Sequence, residues 1–187
     1  GVDRTRPPAL DAIEPVRLPR IERHRLSNGL DVLVCSRPGL PVVELQLVLR
    51  SGAAADPAGG EGTAALVAEL VDEGTAIRSA LELADAFERL GTRLAIDAGW
   101  DGTTLALHLL RPRLEAALDL FGEVVTDAVF PDGEVRRKRD EVIAALVREE
   151  DEPAALASKA FGAAVYGPAH RYGVPLQGAS WRQQTRT

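Results

Sequence analysis

The stretch Gly62-Thr-Ala-Ala-Leu-Val-Ala-Glu-Leu-Val-Asp-Glu-Gly-Thr75 constrains the fold of this chain more than any other. Leu66, Val67, Leu70 and Val71 recur at i, i+1, i+4 and i+5, the spacing of one apolar helix face. Ala64, Ala65 and Ala68 keep the rest of the segment small, and alanine is the strongest helix former. Gly62 and Gly74 stand at the two ends, where glycine starts and stops helices at low cost. A short, smooth helix of this kind packs against something flat. On this pattern Asp72 and Glu73 fall in its last turn, the unfavourable end of the helix dipole for a carboxylate, so packing or partner contacts must hold them there.

The flanking segments predict what that flat neighbour is. Ile21 to Leu26 alternates, Ser27-Asn28-Gly29 turns, and Leu30 to Ser36 returns, a hairpin signal centred on Asn-Gly. Val42 to Arg50 reads as a third strand ending at Ser51-Gly52, and Ala53 to Glu61 as the loop into the central helix. Ser79-Ala-Leu-Glu82 is a capping box that opens a helix to about Leu90, closed by Gly91. Arg93 to Asp97 and Gly102 to Leu110 read as two strands. Leu105, Leu107 and Leu109 alternate there with Thr104, Ala106 and His108, the period of a strand with unlike faces. Pro112 opens a helix to about Ala128 with Leu114, Ala117, Leu118 and Phe121 on one side, and Pro131-Asp132 a long helix to about Asp151. Pro153 at the first helical position opens a further helix to about Val165. A Gly- and Pro-rich segment, Tyr166 to Gly178, follows. Hairpins and helical pairs without strict strand-helix alternation predict an α+β fold, mostly antiparallel sheet packed against helices.

Pro7, Pro8, Pro15 and Pro19 make residues 1–20 a linker or N-terminal arm, leaving 21–187 as one domain. A chain of 187 residues supports one sizeable core. Its net charge of −6 argues against nucleic acid as a main partner. No run approaches the length of a membrane span. There is no methionine, even at position 1, which predicts a processed or excised piece of something longer. Cys35, the single cysteine, allows no internal disulfide and reads as a buried thiol packing as a small hydrophobe.

Few residues offer chemistry. His24, His108 and His170 are not at ligand spacing, and His108 and His170 read as structural histidines, the former hydrogen-bonded on its strand. No Gly-x-Ser-x-Gly elbow, phosphate loop or dinucleotide fingerprint occurs. Arg136-Arg-Lys-Arg139, set among Glu134, Asp140 and Glu141, reads as a solvated helical face.

The central helix with Ser51-Gly52 before it and Gly74-Thr75 after it resembles the zinc-site helix of the insulinase/pitrilysin-type metallopeptidases, a group that includes the mitochondrial processing peptidases. Leu26-Ser-Asn-Gly-Leu30, Gly99-Trp-Asp-Gly102, Phe130-Pro131 and Tyr166-Gly…His170-Arg-Tyr-Gly173 add to the resemblance, which runs from about residue 21 to 178. Arg171 stands where proline is usual. Active members carry H-x-x-E-H on this helix, two histidines for zinc and a glutamate that activates water. The resemblance places that motif on Ala65, Ala68 and Glu69. It places the third ligand, a glutamate of the later helix, on Ala145, and the separation from Glu69 to Ala145, 145 − 69 = 76 positions, is that of the family.

What the resemblance implies is therefore a non-catalytic domain, with no catalytic, metal or cofactor-binding residue of its own. Zinc is expected in a homologous partner domain or subunit, fused or separate, beside which this domain forms part of a chamber for an extended peptide substrate. A homodimer of the isolated domain stays open. Two alternatives stand beside this reading. One is an active metal-dependent endopeptidase using Glu69, Asp72, Glu73 or another carboxylate; the other is a purely structural scaffold subunit. The resemblance points to a bacterial, periplasmic or exported setting.

Overall fold

The computed structural model describes residues 18–174, and they fall into two units, one ending at Leu40 and one beginning at Pro41. In the first, β1 (Ile21–Arg25) and β2 (Asp31–Cys35) form an antiparallel hairpin with Ile21 opposite Cys35 and Arg25 opposite Asp31. Gly29 turns the chain at φ 89°, a conformation that favours glycine, and Asn28 Oδ1 accepts a hydrogen bond from the Leu30 amide. Cys35 is exposed, not buried as its sequence context suggested. Only Val32 of β2 is half-buried. A two-stranded ribbon has no layer of its own to cover either face, so alternation along it does not translate into burial.

The second unit is built on a three-stranded antiparallel sheet in the order β3-β5-β4, formed by β3 (Val42–Leu49), β4 (Ala95–Ala98) and β5 (Thr103–Leu110). Register follows hydrophobicity. Leu45 lies opposite Leu107 and Ile96 opposite Leu105, so apolar residues of neighbouring strands share a face. Leu105, Leu107 and Leu109 are buried there, each burial worth about 1.5–3 kcal/mol. His108 points the other way and is exposed, its side chain in no hydrogen bond among the described residues, which corrects the structural role inferred for it.

Two helices cover the apolar face. In α2 (Ala80–Arg89) the capping box forms as the sequence predicts: Ser79 Oγ accepts from the Glu82 amide and the Glu82 carboxylate accepts from the Ser79 amide. That backbone bond holds the Glu82 carboxyl below its ordinary value. Leu83 and Phe87 of α2 meet Ala117, Leu120, Phe121 and Val124 of α3 (Leu114–Asp127) in one core with the β5 leucines. The α3 stripe is Ala117, Leu120, Phe121 and Val124, an i, i+3, i+4, i+7 set. Leu118, which the sequence reading placed on that side, lies about 100° round the helix from Ala117 and is exposed.

The central helix, α1, spans Thr63–Leu70 and packs against β4 and α4 (Asp132–Glu149). It is shorter than its pattern suggested. After Leu70 the chain turns through Gly74 at φ 146°, and the segment is captured by α3's C-terminus: the Ala76 amide donates to Asp127 O at 3.0 Å and the Val129 amide to Gly74 O at 3.0 Å. Asp72 and Glu73 therefore lie beyond the helix rather than in its last turn. The fifth helix, α5 (Pro153–Tyr166), has Pro153 at its first position and ends at Gly167.

Gly52 marks a close backbone approach. A Cβ there would lie 2.4 Å from Gly99 O and 2.6 Å from Gly102 N. Gly52→Ala is expected to destabilise the chain by about 1–3 kcal/mol in urea denaturation. Gly133→Ala, on a helix with nothing within 4 Å of the new methyl, is expected to stabilise it by about 0.5–1 kcal/mol.

Candidate functional site

The small face of α1 and the facing side of α4 enclose a cavity of about 300 Å³ whose lining includes Ala65, Ala68, Glu69 and Ala145. Residues 76 positions apart in sequence, Glu69 and Ala145, thus line one cavity. Ile96, Asp97 and Ala98 of β4 close a second side, and Val142, Leu146 and Glu149 extend the α4 wall.

The position of α1 depends on a cap from outside the helix. Gly62 is the N-cap and has no side chain to offer, leaving amides of the first turn without partners. Asp56, six residues upstream and buried, supplies them: Oδ2 accepts from the Gly62 amide at 2.7 Å and Oδ1 from the Ala64 amide at 2.9 Å. The loop that carries Asp56 is held in turn by the β4–β5 turn, where the Ala53 and Ala54 amides donate to Gly99 O at 3.0 Å and Trp100 O at 2.8 Å.

Arg171 joins this assembly. Its guanidinium donates to the Asp56 carbonyl and lies 3.6 Å from Glu61. The next residue, Tyr172, donates its hydroxyl to Asp101 and packs with Trp100 at 5.4 Å between ring centroids, and with Tyr166 at 5.4 Å. Two of the phrases that carried the resemblance, Gly99–Gly102 and Tyr166–Gly173, therefore touch. His170 is structural: its Nδ1 accepts from the Tyr172 amide at 3.1 Å.

The α1–α4 seam is polar on its open side. Lys138 Nζ lies 3.2 Å from Glu69 Oε2 and 3.2 Å from Glu73 Oε1. Arg137 bridges Glu73 at 2.8 Å, Glu134 at 2.7 Å and Glu141 at 2.7 Å. Burial works against the Lys138 ammonium, but its hydrogen bonds to Glu73 and Glu69 outweigh that and raise its pKa. The run Arg136–Arg139 is thus not merely a solvated face: Lys138 ties α4 to α1 through Glu69, and Arg137 and Lys138 tie it to Glu73 just beyond α1. Four consecutive helical residues point to all sides, and the sequence could not show which met Glu69 and Glu73.

Asp72 shows the opposite balance. Burial raises its carboxyl pKa, with Glu73 and Glu69 adding to the effect against a backbone hydrogen bond and Lys138.

This donor set does not fit zinc. Three of the four motif positions are alanine, with no ligating atom on the side chain, and Glu69 is engaged by Lys138. Asp72 and Glu73, the other carboxylates considered as ligands, lie past the end of α1 and do not line the cavity. Among the described residues no group of three or more His, Cys, Asp and Glu side chains is placed to hold a metal ion. No described helix is long and apolar enough to cross a membrane.

The model of the family described as insulinase (peptidase family M16) matches residues 31–172, and the chain belongs to that family. A Rickettsia felis protein described as an uncharacterized zinc protease is 24% identical over 156 residues, 83% of this chain and 38% of that protein. The solved structure of a peptidase M16 inactive domain from Pseudomonas fluorescens is similar with a TM-score of 0.80 at 28% identity, covering 85% of this chain and 39% of that one. A protease from Helicobacter pylori shares the fold at a TM-score of 0.81 and 23% identity, over 91% of this chain and 41% of that one. The chain thus spans about two fifths of the length of these relatives.

Two outcomes follow from the site's geometry. Asp56→Ala removes both capping oxygens and is expected to cost about 2 kcal/mol by urea denaturation, with the loss centred on α1 in amide exchange. Asp72→Asn is expected to raise the melting temperature near neutral pH. A carboxyl whose pKa is raised on folding penalises the native state when ionised, so the gain should shrink to nothing as pH falls to about 3 and both states protonate.

Proposed function

We propose that this chain is a non-catalytic peptidase domain of the insulinase family. It contributes to proteolysis by forming part of a substrate chamber and supporting a homologous zinc-bearing domain or subunit. The observation that carries this reading is the convergence of Ala65, Ala68, Glu69 and Ala145 on one cavity between α1 and α4. The positions that would bring two histidines and two glutamates together in an active relative are neighbours here, but they carry methyl groups and one ion-paired carboxylate. One carboxylate does not make a zinc site, and no general base stands at position 68.

Its relatives' length supports the same reading. Proteins described as zinc proteases or as a peptidase inactive domain extend well beyond the part this chain matches, leaving room for a further domain. An extended peptide and a homologous zinc-bearing partner are the two ligands this role requires. No nucleic acid partner is expected for a chain of net charge −6.

Elemental analysis after dialysis against trace zinc tests the proposal. The wild-type chain is expected to retain less than about a tenth of an equivalent, because an intact three-ligand site would fill. The variant carrying Ala65→His, Ala68→Glu, Glu69→His and Ala145→Glu is expected to take up about one equivalent if α1 and α4 face each other as described. A full equivalent bound by the wild-type chain, with peptide cleavage, would overturn the proposal.

A further inference from the structure

The face of the three-stranded sheet opposite the buried leucines borders a second hollow. It has a volume of about 660 Å³ and shares no lining residue with the cavity between α1 and α4. Glu44 of β3 and His108 of β5 lie directly opposite each other on that face. Ala106 and Ala95, opposite each other on β5 and β4, present only methyl groups there. Glu88 of α2 and the segment Gly91–Arg93 that leads into β4 complete the lining.

Charges of both signs line this hollow without neutralising one another. Glu44, Glu88, Arg93 and His108 are exposed, and none has an ion pair or side-chain hydrogen bond among the described residues. The α1–α4 seam shows the contrary habit, with Arg137 and Lys138 each shared by more than one carboxylate. Thr92 is an independent observation. It lines the same hollow, is only 9% exposed, and its Oγ1 is a buried hydroxyl without a hydrogen-bond partner among the described residues. A buried hydroxyl left unpaired is costly, and a ligand that pairs with it removes that cost.

Apart from His108, the lining carries two carboxylates and one guanidinium. A dicarboxylate would bring like charge to Glu44 and Glu88, and a diamine would bring it to Arg93. A molecule with one carboxylate and two cationic groups matches all three. We propose that this hollow binds a free amino acid with a cationic side chain. Its carboxylate accepts from the Arg93 guanidinium, whose planar fork suits that group, and from the Thr92 hydroxyl. Its two cationic groups pair with Glu44 and Glu88. The assignment stands apart from the non-catalytic reading and does not depend on it.

Amide chemical-shift titration of the full chain with L-arginine tests this. Saturable shifts are expected at Glu44, Gly91–Arg93 and Ala106–His108. L-Arginine is expected to bind about fivefold or more tighter than L-argininamide, Nα-acetyl-L-arginine or L-citrulline, each of which lacks one of the three charges. Arg93→Gln should abolish the preference over L-argininamide, and Glu44→Gln or Glu88→Gln should each weaken L-arginine about fivefold. All three are exposed changes with little bearing on folding. Thr92→Val, which keeps the shape and removes the hydroxyl, should raise the melting temperature of the free chain while weakening L-arginine. A merely structural threonine would leave the affinity unchanged. Absence of saturable shifts, or equal binding of L-arginine and L-argininamide, overturns the proposal. So does an unchanged affinity in Arg93→Gln, which decides the matter even if Thr92→Val fails to fold. Equal binding of Nα-acetyl-L-arginine overturns it in favour of a chain that ends in a basic residue. None of these outcomes bears on zinc content, so the two proposals fail separately.

Discussion

Two hydrogen bonds accepted by one buried carboxylate hold the centre of this domain in place. Asp56 caps α1 from six residues upstream, satisfying the Gly62 and Ala64 amides that the helix itself cannot serve. A buried carboxylate is costly unless it is fully hydrogen-bonded, so the loop bearing it has to be held accurately. It is held twice: by backbone bonds to Gly99 and Trp100, and by Arg171 reaching the Asp56 carbonyl. Everything at the cavity, from Ala65 to Glu69, inherits its position from this arrangement.

The same arrangement explains why distant phrases of the sequence keep company. Gly52 allows the backbone of the loop to approach Gly99–Gly102 at a distance no side chain would tolerate. Tyr172 and Asp101 then fasten the closing segment to that turn, with Trp100 and Tyr166 filling the space around the Tyr172 ring. Family membership is therefore expressed in this chain as a set of mutually dependent contacts around α1.

Much of the fold was legible because it is written in local chemistry. The Asn-Gly hairpin, the Ser79–Glu82 capping box, the leucine alternation of β5 and the prolines that open α4 and α5 all act within a few residues, and each element formed where its signal stood. The four positions Ala65, Ala68, Glu69 and Ala145 were assigned by spacing against a known pattern, and they line one cavity. What failed depended on distant partners. Nothing near Cys35 indicated that a two-stranded ribbon has no layer of its own to bury it. Leu118 was assigned to the core because hydrophobicity alone does not resolve 100° of helix rotation. The end of α1 was misjudged because α3, some fifty residues later, draws Asp72 and Glu73 out of the helix. Asp56 escaped notice as a cap because capping signals are sought next to the helix, not a loop away. Lys138 was hidden in a run of like charges whose members face different ways.

The Lys138 and Arg137 contacts carry one more consequence. The described bonds that cross from α4 to Glu69 and Glu73 run from side chain to side chain. A chelator has nothing to extract from them, and scarcity of transition metals in the surroundings leaves them unaltered. Ionic strength does act on them, because salt screens exposed ion pairs of this kind.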